Sequence, residues 1–250
     1  MPRTMKVGDL VAINSEFYDA LWSRTYLTSP RFFNTWPLIS RLLPLAAMRL
    51  EVGPGLRPRL PVAGTHFLDL SPPAVVRLQA GGGLARVGQI TELPFADGSF
   101  DLVVACDVIE HVEDDRRAFA ELSRVLKAGG RLLFSVPLHP ARWTEFDALV
   151  GHARRYVPAE LFRTITEHGL VVEKSAVFGM QSNNSRLLRF AVKGLAEHRA
   201  LAIRWYNWLF LPIGMLLQKR LRWADGLIDL VGVHEVLLVC RRQKRPMTTP

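Results

Sequence analysis

Acidic and histidine side chains are grouped directly after one apolar run. Asp107, Glu110 and His111 follow the run 102–106, which has the length and composition of a buried strand. Two carboxylates and an imidazole at this spacing can converge above the end of a strand, and oxygen ligands with one imidazole suit Mg²⁺, Mn²⁺ or Zn²⁺. A divalent-metal site at Asp107, Glu110 and His111 is one interpretation of the spacing, although not the one we favour. The alternative is that the same side chains shape a ligand pocket that holds no metal.

Three histidines, His111, His139 and His152, lie in predicted loops that gather at one edge of the fold. A neutral imidazole near pH 7 can take a proton from an oxygen nucleophile, so we predict these three as catalytic candidates.

The run 151–156 (GHARRY) adds two arginines and a tyrosine beside His152. Guanidinium groups bind anions, so Arg154 and Arg155, with Tyr156, are predicted to contact the substrate. The alternative is a structural anchor, in which an arginine pairs with Asp147 or Glu145 and Tyr156 packs under the next helix.

A glycine turn follows the first predicted strand. Glu51, Gly53 and Gly55 lie in the sequence EVGPG, and Asp69 ends the second predicted strand. Glycines let the backbone take positive φ and approach a ligand closely. An acid at the end of the second strand can accept hydrogen bonds from ribose hydroxyls. A glycine turn of this kind alone indicates only a nucleotide-like ligand.

The elements that position these residues alternate along the chain. Strand-length apolar runs are predicted at 48–52, 67–70, 85–88, 102–106, 131–136, 170–177 and 235–241, with crossover segments of helix length between the first five. This alternation predicts an α/β fold, a mostly parallel Rossmann-like sheet with helices on both faces. The predicted organisation is an N-terminal helical cap at 1–47, a core at 48–179, a helical insertion at 180–233, a last core strand at 234–242 and a disordered tail at 243–250.

Composition restricts the compartment and the partners. The chain has 250 residues, of which 49% are hydrophobic, and only two cysteines, both in strand-like runs. We therefore expect no disulfide framework, no signal peptide and a cytoplasmic location. The net charge of +9 favours anionic partners, namely nucleic acid, an anionic membrane surface or an acidic substrate.

One part of the predicted insertion is apolar and basic. Residues 205–217 carry no charge, Arg204 precedes them, and Lys219, Arg220 and Arg222 follow. The run is too short to span a bilayer, which takes about 20 residues. It predicts either a peripheral contact with the inner face of a membrane through 201–222 or a lid over an apolar substrate. The alternatives are a buried helix and a dimer contact, and the sequence leaves the oligomeric state open.

Five stretches together resemble the class I methyltransferases, in particular the bacterial set related to ubiquinone-pathway enzymes. The order and spacing of these stretches also match; they are 51–55, 68–71, 93–101, 107–112 and 122–136. The resemblance implies a seven-stranded sheet with strand seven antiparallel between five and six. It also implies S-adenosylmethionine as the cofactor and methyl transfer as the activity.

The resemblance further implies roles for individual residues. Glu51, Gly53 and Gly55 would hold the methionine end of the cofactor, and Asp69 would bind the ribose. Gln89 stands where relatives often carry an acid that binds the adenine amine. Leu70, Ile90 and Cys106 complete the predicted cofactor site, whereas 56–58 (LRP) depart from the glycine pattern that relatives often show.

The resemblance also bears on the metal and the acceptor. In ubiquinone-pathway O-methyltransferases a similar acid-x-x-Glu-His run binds a divalent ion, although Asp107 replaces the usual glutamate; many other relatives use these residues without a metal. We expect O-methylation of a small hydrophobic or lipid-linked acceptor. An RNA methyltransferase is one alternative, but residues 106–109 (CDVI) differ from the Asn-Pro-Pro-Tyr type of turn used for base amines, and no RNA-binding module is recognisable. A non-catalytic binding protein that keeps the cofactor fold is the other.

Overall fold

The fold is built on one mixed sheet of eight strands. The computed structural model describes residues 19, 21–22, 25–179, 201 and 204–243. The strands, in spatial order, are β3 (Leu84–Val87), β2 (His66–Asp69), β1 (Arg49–Val52), β4 (Phe100–Cys106), β5 (Leu126–Pro137), β8 (Glu235–Arg242), β6 (Leu170–Phe178) and β7 (Ala224–Asp225). The first five in this order pair in parallel, and β8 pairs antiparallel with both β5 and β6. The predicted α/β topology, with the last long strand antiparallel between the fifth and sixth, is confirmed.

The sheet has one strand more than the seven predicted. The additional strand β7 is two residues long and pairs antiparallel with β6 at Lys174 and Ser175. It comes from the segment 180–233, which was predicted to be a helical insertion. Residues 180–200 lie outside the described part. Between 204 and 216 the chain is helical, whereas 218–233 contains no helix and includes the short strand β7.

Short helices connect the strands. They are α1 (Trp36–Leu42), α2 (Pro72–Ala80), α3 (Asp115–Val125), α4 (Glu145–Leu149), α5 (Pro158–Glu167) and α6 (Leu211–Leu216), with a π-helical turn at Tyr206–Phe210 immediately before α6. The carboxylate of Asp114 caps α3 by accepting a hydrogen bond from the backbone N–H of Arg117 at 2.9 Å. The helix ends at Val125, and strand β5 already begins at Leu126, three residues before the glycine pair at 129–130.

Strand β4 shows why both sheet faces are covered. Its side chains alternate between two clusters of buried residues: Val103 and Ala105 pack with Phe119 of α3, whereas Leu102 and Val104 pack with Ile39 of α1. Because successive strand side chains point to opposite faces, an apolar run without alternation requires cover on both sides. The helices on both faces therefore follow from the composition of the strands.

The two chain segments outside the core were predicted as a helical cap and a disordered tail. Within 1–47 the described residues include α1 and two 3₁₀ turns, Pro30–Phe32 and Leu43–Leu45. The tail from 244 to 250 and residues 1–18 lie outside the described part. Among the described helices, none combines the length and apolar character that crossing a membrane requires.

Candidate functional site

The predicted cofactor residues meet at the carboxyl edge of the parallel strands. Because β1, β2, β3 and β4 run in the same direction, the loops that follow them emerge side by side. The backbone N–H of Gly53 donates to the carbonyl of Leu68 at 2.8 Å, and that of Gly88 donates to the carbonyl of Asp69 at 3.1 Å. The structure thus gathers at this edge the residues predicted to hold a cofactor: Glu51, Gly53, Gly55, Asp69, Leu70, Gln89, Ile90 and Cys106.

The turn after β1 requires glycine at two positions. Gly53 has φ +64° and Gly55 has φ +52°, in the left-handed region that favours glycine. A Cβ on Gly53 would lie 2.6 Å from Cγ2 of Val108, and one on Gly55 would lie 2.2 Å from the indole of Trp22. Both the backbone and the space therefore exclude a side chain at these two positions.

Asp69 connects the turn after β1 with the turn after β2. Its two carboxylate oxygens accept hydrogen bonds from the N–H groups of Gly55, at 2.8 Å, and Ser71, at 2.9 Å. Burial raises the pKa of Asp69, while these two N–H donors act in the opposite direction. Each oxygen keeps a further lone pair, so the carboxylate can still accept from two ribose hydroxyls.

Glu51 lies under the turn. Its carboxylate accepts from the backbone N–H groups of Arg59, at 2.7 Å, and Leu60, at 2.9 Å, which returns the loop to the sheet. Burial raises the pKa of Glu51 to about 7, against the lowering effect of these two donors. In this structure Glu51 holds the loop; the predicted contact with the methionine end of the cofactor stays a prediction.

The remaining predicted cofactor residues line the ends of β2, β3 and β4. Leu70 is 41% exposed, Gln89 is exposed and Ile90 is buried. Leu70 and Ile90 supply apolar side chains, and Gln89 an amide, to the predicted cofactor site. Burial raises the pKa of the half-buried Cys106 thiol, so it stays protonated and is unsuited to act as a nucleophile.

Asp107 turns toward β5 and β8. It has φ +56°, and its carboxylate accepts a hydrogen bond from the hydroxyl of Ser135 at 2.5 Å. Glu235, at the start of β8, is buried beside it: burial, and next the negative charge of Asp107, which it hydrogen-bonds, raise the pKa of Glu235 well above its ordinary value. Sequence reasoning missed Glu235, although a single acid opening an apolar strand was the available signal.

The predicted metal set of Asp107, Glu110 and His111 is therefore not the set that converges. Among the described residues, the group whose donor atoms all lie within 4.8 Å of one another is Glu110, His111 and His152. The rings of His111 and His152 meet edge to face with centroids 4.6 Å apart, and Nε2 of His152 lies 3.9 Å from Oε1 of Glu110. The backbone N–H of Ala153 donates to the carbonyl of Glu110 at 2.7 Å, which joins the loop after β4 to the loop after α4.

Burial dominates the electrostatics of this group. It raises the pKa of Glu110 well above its ordinary value, and the nearby charge of Asp107 adds to the effect. It lowers the pKa of His111 to about 3, again with a smaller contribution from His152 in the same direction. The low pKa keeps His111 neutral and makes it a weak base.

A buried ion pair holds His152. Nδ1 of His152 donates to Oδ1 of Asp147 at 2.9 Å, and Arg155 donates to both oxygens of Asp147 through Nε, at 3.0 Å, and Nη2, at 2.9 Å. Burial would raise the pKa of Asp147, but the hydrogen bonds from His152 and Arg155 hold it below its ordinary value. The network fixes the ring of His152 and leaves Nε2 facing Glu110.

The residues predicted to contact the substrate make internal contacts. Arg155 pairs with Asp147, Arg154 pairs with Asp115 at 2.9 Å and donates to the carbonyl of Glu113, and Tyr156 is buried in the main core. The pair of Arg155 with Asp147 is the one that the structural alternative named, whereas Arg154 pairs with Asp115. A direct role of Arg154, Arg155 or Tyr156 in substrate binding stays a prediction.

His139 lies outside the group of Glu110, His111 and His152. It has φ +61°, and its Nε2 lies 3.0 Å from the carbonyl of Leu230. Of the three histidines predicted as catalytic, the structure therefore brings two together, and the catalytic role of each stays a prediction.

Known proteins resemble this chain in sequence and in fold. A family model described as a methyltransferase domain matches residues 51–134. The uncharacterized protein YafE of Escherichia coli is 35% identical over 43% of this chain, and the match spans only 56% of YafE. A malonyl-[acyl-carrier protein] O-methyltransferase of Herminiimonas arsenicoxydans is 28% identical over 71% of each chain. The crystal structure of an S-adenosylmethionine-dependent methyltransferase of Thermotoga maritima has the same fold, with a TM-score of 0.60 at 17% identity, over 94% of this chain and all of that one.

The matched region begins at Glu51 and covers the glycine turn, Asp69 and the strand ends that form the site. The motifs, the strand order and the comparisons agree in supporting a class I S-adenosylmethionine-dependent methyltransferase, whose family model matches residues 51–134.

Proposed function

We propose that this protein transfers the methyl group of S-adenosylmethionine to an oxygen of a small, apolar acceptor. The observation that carries the proposal is that the glycine turn and the imidazole–carboxylate group share one edge of the sheet. Val108, which packs against Gly53, directly precedes the 3₁₀ turn Ile109–His111, so the two sets of residues adjoin.

The cofactor half of the proposal rests on fixed polar groups. The turn at 53–55 offers a close approach to its backbone, Asp69 offers its remaining lone pairs to the ribose, and the exposed Gln89 offers an amide to the adenine. Since methyl transfer is an in-line displacement, the main contribution of such a site is to hold the donor and the acceptor close and aligned.

The choice of oxygen as acceptor rests on His152. Because Nδ1 donates to Asp147, the lone pair of the neutral ring lies on Nε2, on the side of Glu110. A hydroxyl acceptor must lose its proton, and a positioned base contributes typically about 10²–10⁴-fold to such a step. We propose that His152 accepts this proton, with Asp147 and Arg155 as the positioning residues.

The apolar character of the acceptor rests on the surface beside the cofactor turn. Asn207, in the π-helical turn, accepts a hydrogen bond from Arg57 at 2.9 Å, which connects this segment with the loop that follows Gly55. Its neighbours Trp208 and Phe210 are 65% and 58% exposed, and Leu216 at the end of α6 is 86% exposed. We call the exposed apolar side chains of 204–217 the apolar ridge.

Basic side chains flank the apolar ridge. Arg204, Lys219, Arg220 and Arg222 are all exposed. We propose that the ridge contacts an anionic membrane surface, from which a hydrophobic or lipid-linked acceptor reaches the site. Aromatic side chains enter the headgroup region and basic ones attract anionic lipid. Self-association through this ridge would bring the same positive charges of two copies together, so a membrane fits the charge pattern better.

The activity is tested by transfer of tritiated methyl groups to extracted lipids, phenols and RNA. We expect label in the lipid or phenol fraction and a loss of about 10²–10⁴-fold in kcat for His152→Ala with little change in cofactor affinity. Label confined to RNA, or full activity of His152→Ala, would contradict the proposed acceptor chemistry.

The membrane contact is tested by co-sedimentation with vesicles of phosphatidylcholine alone and with added phosphatidylglycerol. We expect binding to the anionic vesicles and its loss in the triple variant Trp205→Ala/Trp208→Ala/Phe210→Ala. Trp143→Ala is the matched control, since Trp143 is 43% exposed but lies outside the ridge. Equal sedimentation of the triple variant and the wild type would refute the membrane contact.

A further inference from the structure

The group formed by Glu110, His111 and His152 has features that proton transfer alone does not require. It combines two imidazoles with a carboxylate, and the donor atoms lie within 4.8 Å of one another in a largely buried position. The loops that carry it are joined by the hydrogen bond from Ala153 to Glu110.

Hydrogen bonds at the two rings favour the tautomers that bind metals. Nδ1 of His152 donates to Asp147 at 2.9 Å, and Nδ1 of His111 donates to the carbonyl of Gly151 at 3.2 Å. In a neutral ring whose Nδ1 carries the proton, Nε2 holds a lone pair. Metal-binding histidines show this arrangement, in which a carboxylate or a backbone carbonyl accepts from the other ring nitrogen.

One carboxylate oxygen of Glu110 lacks a hydrogen-bond partner among the described residues. This oxygen, Oε2, is buried, and the side chain is almost completely enclosed. A buried carboxylate without a partner is costly, and a bound cation would remove that cost.

We propose that Glu110, His111 and His152 bind one divalent transition-metal ion, with Zn²⁺ the best match to two imidazole nitrogens and one carboxylate oxygen. Three protein ligands of this type leave a fourth position for a water or a substrate oxygen. This donor set differs from the oxygen-rich set Asp107, Glu110 and His111 that the sequence suggested. Asp107 is engaged with Ser135 and Glu235, and His152 supplies a nitrogen in its place.

One of the three donor pairs lies close to the spacing that a zinc ion requires. Donors at about 2.1 Å from a tetrahedral zinc ion lie about 3.4 Å apart. Nε2 of His152 and Oε1 of Glu110 are 3.9 Å apart. Side-chain rotations that move these two atoms closer by less than about 1 Å would therefore give this pair the spacing of two zinc ligands.

The chemical role rests on the proposed function, whereas the binding itself does not. A divalent ion at this place would supply Lewis acidity to an acceptor oxygen. In the metal-bound protein Nε2 of His152 is a ligand, and in the metal-free protein it is the proton acceptor.

The test uses the full chain, freed of metal with EDTA and then dialysed. Zn²⁺ affinity is measured by competition with a chromophoric chelator, stoichiometry by elemental analysis, and the ligand field by the visible absorption of the Co²⁺ form. We expect one ion per chain, and a loss of affinity of at least about 100-fold in His152→Ala and in Glu110→Gln, since removing an outer-shell partner alone already costs about 10–100-fold. Asp107→Asn and His168→Ala are the controls and should retain affinity within about threefold.

Cofactor binding by each variant separates this inference from the proposed function. A variant that binds S-adenosylhomocysteine normally but has lost Zn²⁺ supports the site. Absence of stoichiometric Zn²⁺ in a wild-type protein that binds the cofactor and transfers methyl groups would overturn the metal site and leave the proposed function standing. Equal Zn²⁺ affinity of His152→Ala and the wild type, or loss of Zn²⁺ in Asp107→Asn alone, would also overturn it.

Discussion

Replacing Gly55 by alanine tests how tightly the cofactor turn is fixed. Gly55 has φ +52°, and a Cβ there would lie 2.2 Å, 2.3 Å and 2.8 Å from three atoms of the Trp22 indole, which is 6% exposed. The left-handed backbone costs an alanine about 1–2 kcal/mol. The indole must also shift, and the loss from that shift has an upper bound of about 3–5 kcal/mol, the cost of truncating a buried tryptophan.

Gly129→Ala is the matched control for this prediction. Gly129 has φ +82° with nothing within 4 Å of its added Cβ, so its substitution carries the backbone cost without the steric one. In urea unfolding we expect Gly129→Ala to lose about 1–2 kcal/mol and Gly55→Ala clearly more. In calorimetry with S-adenosylhomocysteine we expect Gly55→Ala to lose binding and Gly129→Ala to keep it.

A double-mutant cycle with Trp22→Ala isolates the steric contribution. If the indole opposes the new methyl group, Gly55→Ala should cost less in the Trp22→Ala background than in the wild type. Equal stability losses for Gly55→Ala and Gly129→Ala, together with unchanged cofactor affinity, would refute the assigned geometry of the turn.

Three further predictions concern the acids of the site. Asp69→Asn cannot accept from both Gly55 and Ser71, so we expect about 10–100-fold weaker cofactor binding by calorimetry, from a loss of about 1.5–3 kcal/mol; unchanged affinity would contradict the role of this carboxylate. The pKa of Glu51 rises from 4.5 to about 7 on folding, so the stability it contributes is fully present below pH 4.5 and is lost as the pH rises through about 7. Between pH 4.5 and 8 the wild type should therefore lose about 3 kcal/mol more than Glu51→Gln in urea unfolding, and parallel profiles would count against the assignment. Asp147→Asn leaves the buried Arg155 without its counter-charge and should destabilise the protein by about 3–5 kcal/mol, whereas Glu167→Gln, which removes only an exposed pair with Arg116, should change stability by less than about 0.5 kcal/mol; equal effects would contradict the buried pair.

Predictions that depend on local pattern agree with the structure. The seven predicted strand runs all correspond to strands, because a run of β-branched and apolar residues of strand length can be buried only inside a covered sheet. The turn at Gly53 and Gly55 was predicted on the same kind of ground, since a positive φ beside a crowded strand end admits little else.

Predictions that depend on long-range contacts were less successful. The segment from 218 to 233 contains few local features that predict a strand, and β7 forms where it pairs with the edge of β6. Strand β5 begins at Leu126 rather than at the predicted residue 131, because Leu126 already pairs with Phe100 of β4. In both cases a neighbouring strand, not the local sequence, decides the conformation.

The same distinction applies to the grouped acids and histidines with which the sequence reading began. By itself the sequence determined the sheet, the cofactor turn and the identity of the reactive side chains, because strand burial and glycine conformation are properties of neighbouring residues. Only the tertiary structure decided which of those side chains meet. Asp107 turns to Ser135 and Glu235. His152, more than forty residues from Glu110 in the sequence, lies beside Glu110 and His111 instead. It does so because a backbone hydrogen bond joins the loops after β4 and α4, and because the buried Asp147–Arg155 pair fixes its ring.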